Sequence, residues 1–307
     1  MDLDTLRQQI SAYLKFTLPE EPVPFTLHER VPEGGYSRTL ITYRGDEGDR
    51  IPAYLLLPDT GQALPGVIVH HQHHGQRHLG KSEVCGLAGD PLQAFGPALA
   101  RRGVAVLAPD SICFEDRRRS GKGTEPHDRD TGEHYDELCY RLLRGDTLMR
   151  KLLSDSARAI SVLQAHPRIA PGRIGIMGHS YGGSTTLFHS GLDERIRFAC
   201  ASGAACTYRH RMAQHTGIEM SQVIPGFASR YDFPSLLACC APRPLLLVSA
   251  TDDQHSQDAD TIVALARQRC AAAGVTTQIE HHRYQGGHAL TMERFQDIVT
   301  WVVGQAL

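Results

Sequence analysis

Residues 173–183, RIGIMGHSYGG, carry the strongest structural signal in the chain. An apolar run leads directly into Gly178-His179-Ser180-Tyr181-Gly182, a G-x-S-x-G pattern, and a helix-compatible segment follows. Strand, sharp turn and helix in this order are typical of a nucleophile elbow, where a serine hydroxyl projects from a strained turn. Small neighbours let the strand and the helix approach each other at that point. We therefore predict that Ser180 is a nucleophile, the alternative being a chance Gly-Ser loop.

A serine hydroxyl is a poor nucleophile at neutral pH, so it needs a base and an acid that orients the base. On an elbow of this kind the acid and then the histidine follow the serine along the chain. RPLLLVSA (243–250) runs into Thr251-Asp252-Asp253, and TTQIEHHRY (276–284) runs into Gln285-Gly286-Gly287-His288. Both positions follow predicted strands, where open α/β sheets form their ligand crevices.

Each of these two positions offers a choice of residue. We prefer His288 as the base over His281 and His282, because the latter two lie inside a predicted strand. The alternative for His288 is a histidine that caps or packs at a helix start. We prefer Asp253 as the acid over Asp252, and the one that is not the acid is expected to be a helix-capping or solvated turn carboxylate.

An oxyanion hole should complete the site. One donor is predicted to be the backbone N–H of Tyr181, and the second the N–H of Gln72 or His73 in the loop after the predicted strand 64–70. Four histidines between His70 and His74 also suggest a zinc site. Since no complete metal-binding signature accompanies them, we favour a polar lining of the active-site loop and predict neither a metal nor a cofactor.

Strands alternate with helices along the chain, which favours an α/β fold with a mostly parallel central sheet and helices on both faces. We predict a single domain over residues 1–307, with an N-terminal helical extension at 1–35. Residues 111–145 and 204–242 break the alternation and are interpreted as surface insertions, the second as a small cap. Arg117, Arg118 and Arg119 in the first insertion bind an acidic substrate or, as is more usual, form a solvated or ion-paired face.

Composition restricts the class of protein. The chain has 307 residues, 41% hydrophobic and 21% charged, and its net charge of −2 favours neither nucleic acid nor an anionic membrane as a partner. It begins with acidic residues and without a long apolar run, so no secretory signal is predicted. Its eight scattered cysteines suit buried thiols in a reducing compartment. We therefore expect a cytoplasmic protein, for which a homo-oligomer stays open.

From about residue 50 onward the chain resembles the α/β-hydrolase superfamily. Within it, the chain is similar to the branch of dienelactone hydrolase-like, acetyl xylan esterase-like and prolyl oligopeptidase-type proteins. The resemblance rests on the segments LPGVIVHHQHHG (64–75), LARRGVAVLAPD (99–110), RIGIMGHSYGG (173–183), APRPLLLVSATDD (241–253) and YQGGHAL (284–290).

The resemblance refines the site. The family strand that ends in L-L-V-x-G-x-x-D matches LLVSATDD here, which implies Asp253 as the acid. Ser180 stands where dienelactone hydrolases proper carry cysteine, so dienelactone is not the expected substrate. His71-Gln72 replaces the usual His-Gly after the third strand, and the second oxyanion donor therefore stays open between Gln72 and His73.

Motif and resemblance together imply an esterase that cleaves small or medium soluble carboxylic esters through an acyl-enzyme. A prolyl oligopeptidase-type peptidase is an alternative, although about 45 residues before the first strands are too few for the propeller such enzymes usually carry. A thioesterase or a carbon–carbon bond hydrolase would use the same three residues. A catalytically inactive binding protein on this scaffold is the alternative from another class, against which the complete set of Ser180, Asp253 and His288 argues.

Overall fold

The computed structural model describes residues 2–20, 22–60 and 63–307. Its strands are β1 (Phe25–Glu33), β2 (Tyr36–Arg44), β3 (Arg50–Pro58), β4 (Leu64–His70), β5 (Ala105–Pro109), β6 (Ile169–His179), β7 (Ala199–Ser202), β8 (Leu245–Ala250) and β9 (Ile279–Tyr284). Its helices are α1 (Leu3–Tyr13), α2 (Lys81–Val84), α3 (Phe95–Ala100), α4 (Asp130–Leu143), α5 (Leu148–Ala165), α6 (Tyr181–Leu192), α7 (Tyr208–Gln214), α8 (Phe233–Cys240), α9 (Ala259–Ala272) and α10 (Met292–Ala306). Short 3₁₀ turns lie at Pro91–Gln93, Glu115–Arg117, Met220–Gln222 and Phe227–Ser229.

The strands form one sheet in the order β1-β2-β3-β5-β4-β6-β7-β8-β9. The pairs from β1 to β5 are antiparallel, and those from β5 to β9 are parallel. From β4 the chain crosses first to β5 on one side and then to β6 on the other. This reversal of strand order opens a crevice at the carboxyl ends of β4 and β6, which is where such sheets bind ligands.

The central strands are buried on both faces, as their continuous apolar runs predicted. Along β4, Ile68 packs into the core on the side of α5 and α6, while Val67 and Val69 pack into the core on the side of α3 and α10. β8 alternates in the same way, with Leu247 on the first side and Val248 on the second. The mostly parallel sheet with helices on both faces is therefore confirmed.

The N-terminal part differs from its prediction. Residues 1–35 were expected to be a helical extension, and α1 is helical, but residues Phe25–Glu33 form the edge strand β1, paired with β2. β1 is mostly exposed, and its register shifts between Leu27 and Arg30. It therefore lacks the strict alternation of polar and apolar residues by which a half-buried strand is recognised.

The two segments interpreted as insertions also contain regular structure. α4 lies within 111–145, and α7 and α8 lie within 204–242. The buried guanidinium of Arg118 pairs with Asp130 at the start of α4 through Nη1, which lies 2.8 and 2.6 Å from the two carboxylate oxygens. All eight cysteines are free thiols. In the described part of the chain no helix combines the length and the apolar character needed to cross a membrane.

Candidate active site

Ser180 occupies the tight turn between β6 and α6. Its backbone has φ +55° and ψ −117°, a conformation that costs a non-glycine residue free energy and is found mainly at functional sites. The Ser180 N–H donates to the carbonyl of Ser202 at 2.8 Å, which ties the turn to β7. A Cβ on Gly182 would lie 2.3 Å from the carbonyl oxygen of His70 at the end of β4. The motif therefore needs glycine at this position so that α6 can approach β4.

Ser180, His288 and Asp253 are joined by hydrogen bonds. His288 Nε2 lies 2.8 Å from Ser180 Oγ, and His288 Nδ1 lies 3.0 Å from Asp253 Oδ1. Asp253 also accepts the N–H of His255 at 2.9 Å and the hydroxyl of Ser256 at 2.6 Å. Burial alone would raise the pKa of Asp253, but the hydrogen bond from His288 and those from Ser256 and His255 hold it well below its usual value. A charged carboxylate therefore faces Nδ1, which leaves Nε2 to accept the serine proton.

The competing residues lie elsewhere. His281 bonds Ser249 Oγ at 2.7 Å, and His282 lies 3.9 Å from Glu280 on the same strand. Asp252 is exposed, whereas Asp253 is buried. The structure thus brings the preferred histidine and the preferred aspartate together with Ser180 and leaves their competitors away from it.

A cleft of about 360 Å³ opens over Ser180. Tyr181 and His73 line it, and so do Arg211 and Glu219 from the segment 204–242 that was interpreted as a cap. The side chain of Gln72 is buried and donates to Glu83 Oε1 at 3.2 Å. The loop that carries Gln72 and His73 packs directly on the start of α6, since the carbonyls of His70 and His71 meet Gly182.

Comparison with known proteins places the chain among the α/β-hydrolases. The acetyl xylan esterase (AXE1) family model matches residues 36–217, and that of the prolyl oligopeptidase family matches residues 130–306. The chain belongs to the branch of α/β-hydrolases that holds these two families. It is a serine hydrolase of carboxylic esters.

Individual relatives agree with this assignment. The putative hydrolase YtaP of Bacillus subtilis (strain 168) is 29% identical over 221 residues, which cover 70% of this chain and 69% of that protein. A putative acetyl xylan esterase of Bacteroides fragilis NCTC 9343 superposes with a TM-score of 0.73 at 17% identity, covering 92% of this chain and 74% of that one. A glucuronoyl esterase of Solibacter usitatus superposes with a TM-score of 0.67 at 16% identity, covering 97% and 92%. At these identities the two solved structures show the shared fold.

Two histidines that the sequence analysis did not single out flank the ring of His288 in this α/β-hydrolase. The centroid of His179 lies 4.9 Å from that of His288, and the centroid of His255 lies 4.7 Å from it. Burial lowers the pKa of His179 to about 3 and that of His255 to about 4, so both rings are neutral at neutral pH. Their positions next to Ser180 and Asp253 in sequence were the available signal.

The histidines from His70 to His73 do not converge on one point. His70 Nε2 lies 2.9 Å from Ser156 Oγ, and His71 Nε2 accepts the N–H of Ser111 at 3.1 Å. His73 bonds the carboxylate of Glu219 through Nε2 and accepts the N–H of Gly75 at 2.9 Å through Nδ1. Both nitrogens of His71 and of His73 thus have protein partners. His73 lines the cleft, whereas His71 is buried and is not part of its lining.

Two clusters of three carboxylates in the described residues have the spacing of metal ligands. Each cluster surrounds the ammonium group of a lysine. Lys81 Nζ bonds Asp110 at 2.9 Å, Asp116 at 2.7 Å and also Glu115. Lys151 Nζ likewise bonds Asp46, Asp49 and Asp155 at 2.7–2.9 Å. The ammonium group fills the position that a cation would take, so both groups are internal ion pairs.

The arginines at 117–119 were interpreted either as a binding site for an acidic substrate or as a solvated or ion-paired face. In the structure they form ion pairs with carboxylates of the protein. Arg117 bonds Asp49 at 2.5 Å and Asp155 at 2.8 Å, and Arg118 pairs with Asp130 as described above. Arg119 has 58% of its side chain exposed and lies 3.8 Å from Glu133 and from Glu137. These residues support the fold of the insertion.

Proposed function

We propose that this protein hydrolyses small or medium soluble carboxylic esters through an acyl-enzyme on Ser180, with His288 as the general base and Asp253 as the acid that orients it. The observation that carries the proposal is the continuous hydrogen-bonded chain from Ser180 Oγ through both nitrogens of His288 to Asp253. This arrangement makes a serine nucleophilic at neutral pH.

In the first half-reaction His288 Nε2 takes the hydroxyl proton while Ser180 Oγ attacks the ester carbonyl. The resulting oxyanion accepts the N–H of Tyr181 and a second N–H, from Gln72 or His73. One such donor contributes about 10²–10³ in kcat, and the N-terminal end of α6 adds its positive potential. Collapse of the tetrahedral intermediate expels the alcohol, which receives the proton from His288.

In the second half-reaction water attacks the acyl-enzyme, again with His288 as the base, and the carboxylic acid leaves. The positive charge that His288 carries in each transition state is stabilised by Asp253. Neither His179 nor His255 repels this positive charge, because burial keeps both rings neutral.

The polar lining of the cleft suits a polar substrate. Burial alone would raise the pKa of Glu219, but the hydrogen bond from His73 and nearby positive charges lower it to about 2, so the cleft presents a carboxylate. Arg211 presents a cation in the same cleft. The names of the acetyl xylan esterase and the glucuronoyl esterase among the similar structures indicate esters of carbohydrates as their substrates. For the present protein we propose an ester with a polar alcohol as the substrate class.

A peptidase is the second candidate, because the prolyl oligopeptidase model covers all three proposed catalytic residues. A panel of p-nitrophenyl esters, thioesters and aminoacyl amides assayed on the purified protein separates these activities. The amides are expected to react at least about a hundredfold more slowly than the esters. Faster turnover of an aminoacyl amide than of any ester would transfer the assignment to the peptidase.

Replacing the proposed nucleophile is the direct test. Ser180→Ala should lower kcat for p-nitrophenyl esters by about 10⁴–10⁶ and abolish labelling by a fluorophosphonate probe, since the three residues act as a unit. Ser190→Ala, which changes a buried serine within α6, is the matched control and should retain both. Turnover of Ser180→Ala within tenfold of the parent, with an unchanged circular dichroism spectrum, would refute the assignment.

A further inference from the structure

A second groove, of about 480 Å³, lies next to the catalytic cleft on the segment that was interpreted as a cap. Ile218 and Gln222 line both the groove and the cleft. The rest of its lining is mostly apolar and includes Tyr208, Met212, Val223, Ile224 and Pro225. Met212 is 54% exposed and Ile218 is 37% exposed, which leaves apolar surface open to a ligand beside the site.

Groove and cleft differ in polarity. Charged and titratable side chains line the cleft, whereas the described lining of the groove contains no Asp, Glu, Lys, Arg or His. Ile218 stands at their common border. A ligand that extends over Ile218 would therefore have a polar end at Ser180 and an apolar end in the groove.

The wall between the two is fixed to the catalytic helix. Gln222 Nε2 donates to Ser184 Oγ at 2.6 Å, and Ser184 lies one turn after Ser180 on α6. The carbonyl of Gln222 accepts the hydroxyl of Tyr208 at 2.8 Å. The groove is thus formed before a substrate arrives, so little conformational entropy is lost when it is filled.

The polarity of the groove indicates which part of an ester it suits. The proposed substrate has a polar alcohol, which matches the charged and titratable side chains of the cleft, among them Arg211 and Glu219. The groove beyond Ile218 is apolar, so the part of the ester left for it is the acyl group.

We propose that the groove binds an apolar acyl chain, so that the enzyme prefers esters of medium-chain or aryl acids to acetates. This inference rests on the proposed ester hydrolysis at Ser180. Each methylene buried in an apolar site contributes up to about fourfold in transition-state binding, so kcat/KM should rise by about that factor per carbon from acetate toward hexanoate.

The test compares two series of esters. One varies the acid from acetate to octanoate with p-nitrophenol held constant, and the other varies the alcohol from ethanol to hexanol with acetate held constant. Met212→Asp places a charge in the groove, outside the catalytic cleft, and should lower the hexanoate-to-acetate ratio of kcat/KM by about fivefold or more. Met292→Asp is the control, because Met292 is 57% exposed on α10, away from both cavities, and should keep the parent ratio.

The outcomes are distinguishable. No hydrolysis of any ester by the parent would refute the proposed function and this inference with it. Efficient hydrolysis of acetate with no gain along the acid series would refute the inference alone. An effect of Met212→Asp confined to the alcohol series would refute the acyl assignment. A change of oligomeric state in Met212→Asp at a constant acid preference would show that the groove is an interface between copies of the chain.

Discussion

Asp252 and Asp253 are neighbours in sequence with opposite surroundings. Asp253 is buried and bonds His288, while Asp252 is exposed and its backbone N–H donates to the carbonyl of Gly286 at 2.9 Å. Asp253→Asn should lower kcat by about 10⁴, because an amide in place of the acid favours the wrong tautomer of the histidine. Asp252→Asn leaves the hydrogen bond between Asp253 and His288 intact and is the control.

We expect the two variants to differ at least about a hundredfold in kcat on p-nitrophenyl esters, at similar melting temperatures. Equal rates, or a larger defect in Asp252→Asn, would move the role of acid away from Asp253.

Single residues were predictable where a short motif determines their position. Ser180 directly follows β6, and Asp253 and His288 lie in the short loops that follow β8 and β9. Their place at the carboxyl edge of the sheet therefore follows from the sequence. Glu219 reaches the cleft from a 3₁₀ turn in the segment 204–242, where no periodicity predicts which residue faces Ser180. Its contact with His73 spans 146 positions of sequence and depends on how that segment folds over the sheet.

The junction of β4, β6 and α6 depends on one glycine. A Cβ at Gly182 would meet the carbonyl oxygens of His70 at 2.3 Å and of His71 at 2.8 Å, and backbone atoms cannot move aside as flexible side chains do. Gly182→Ala should therefore destabilise the protein by about 1–3 kcal/mol through overpacking, although alanine is the better helix former. The displaced elbow should also lose most of its ester hydrolysis.

Gly304→Ala in α10 is the matched control, since nothing lies within 4 Å of its added Cβ. It should stabilise the protein by up to about 1 kcal/mol, because glycine is a poor helix former. Chemical denaturation of both variants measures whether each substitution lowers or raises the free energy of unfolding. A Gly182→Ala protein as stable and active as the parent would show that the elbow tolerates a side chain.

Among whole elements, the buried strands were the most predictable. β4, β5 and β8 are entirely buried, so each appears in the sequence as a short continuous apolar run. β1 has an exposed edge position, and its polar residues satisfy no burial pattern that could reveal it. The helices α4 and α7 lie in segments rich in charge, and α4 is stabilised by ion pairs such as that of Arg118 with Asp130 and by packing against α5. Such tertiary contacts are absent from local sequence patterns.

The molecule as a whole buries several histidines in uncharged form. Burial is the main cause that lowers their pKa values in each case. The values are about 3 for His70 and His179 and about 4 for His71 and His134. In the unfolded chain histidine titrates near 6.5, so between pH 6.5 and about 4 the unfolded state binds more protons than the folded state.

Stability should therefore fall as the pH is lowered through this window. Each such histidine removes about 1.4 kcal/mol of unfolding free energy per pH unit below 6.5, until the pH reaches its folded pKa. Together the four would cancel a typical stability of about 5–15 kcal/mol within roughly one to three pH units. We expect the melting temperature to drop steeply between pH 6 and about 4.5, while it changes little between pH 7 and 8.

Replacing one of these histidines should reduce by one the number of protons that the protein takes up when it unfolds in this pH window. His134 is fully buried and accepts a hydrogen bond from Arg77 Nε at 3.3 Å, and the amide of His134→Gln can accept the same bond without titrating. The slope of unfolding free energy against pH between 6 and 5 should become shallower by about 1.4 kcal/mol per unit. His215→Gln changes an exposed histidine and should keep the parent slope. Denaturant titrations of the three proteins at pH 5, 6 and 7 decide the matter, since equal slopes for His134→Gln and the parent would mean that His134 is charged in the folded protein.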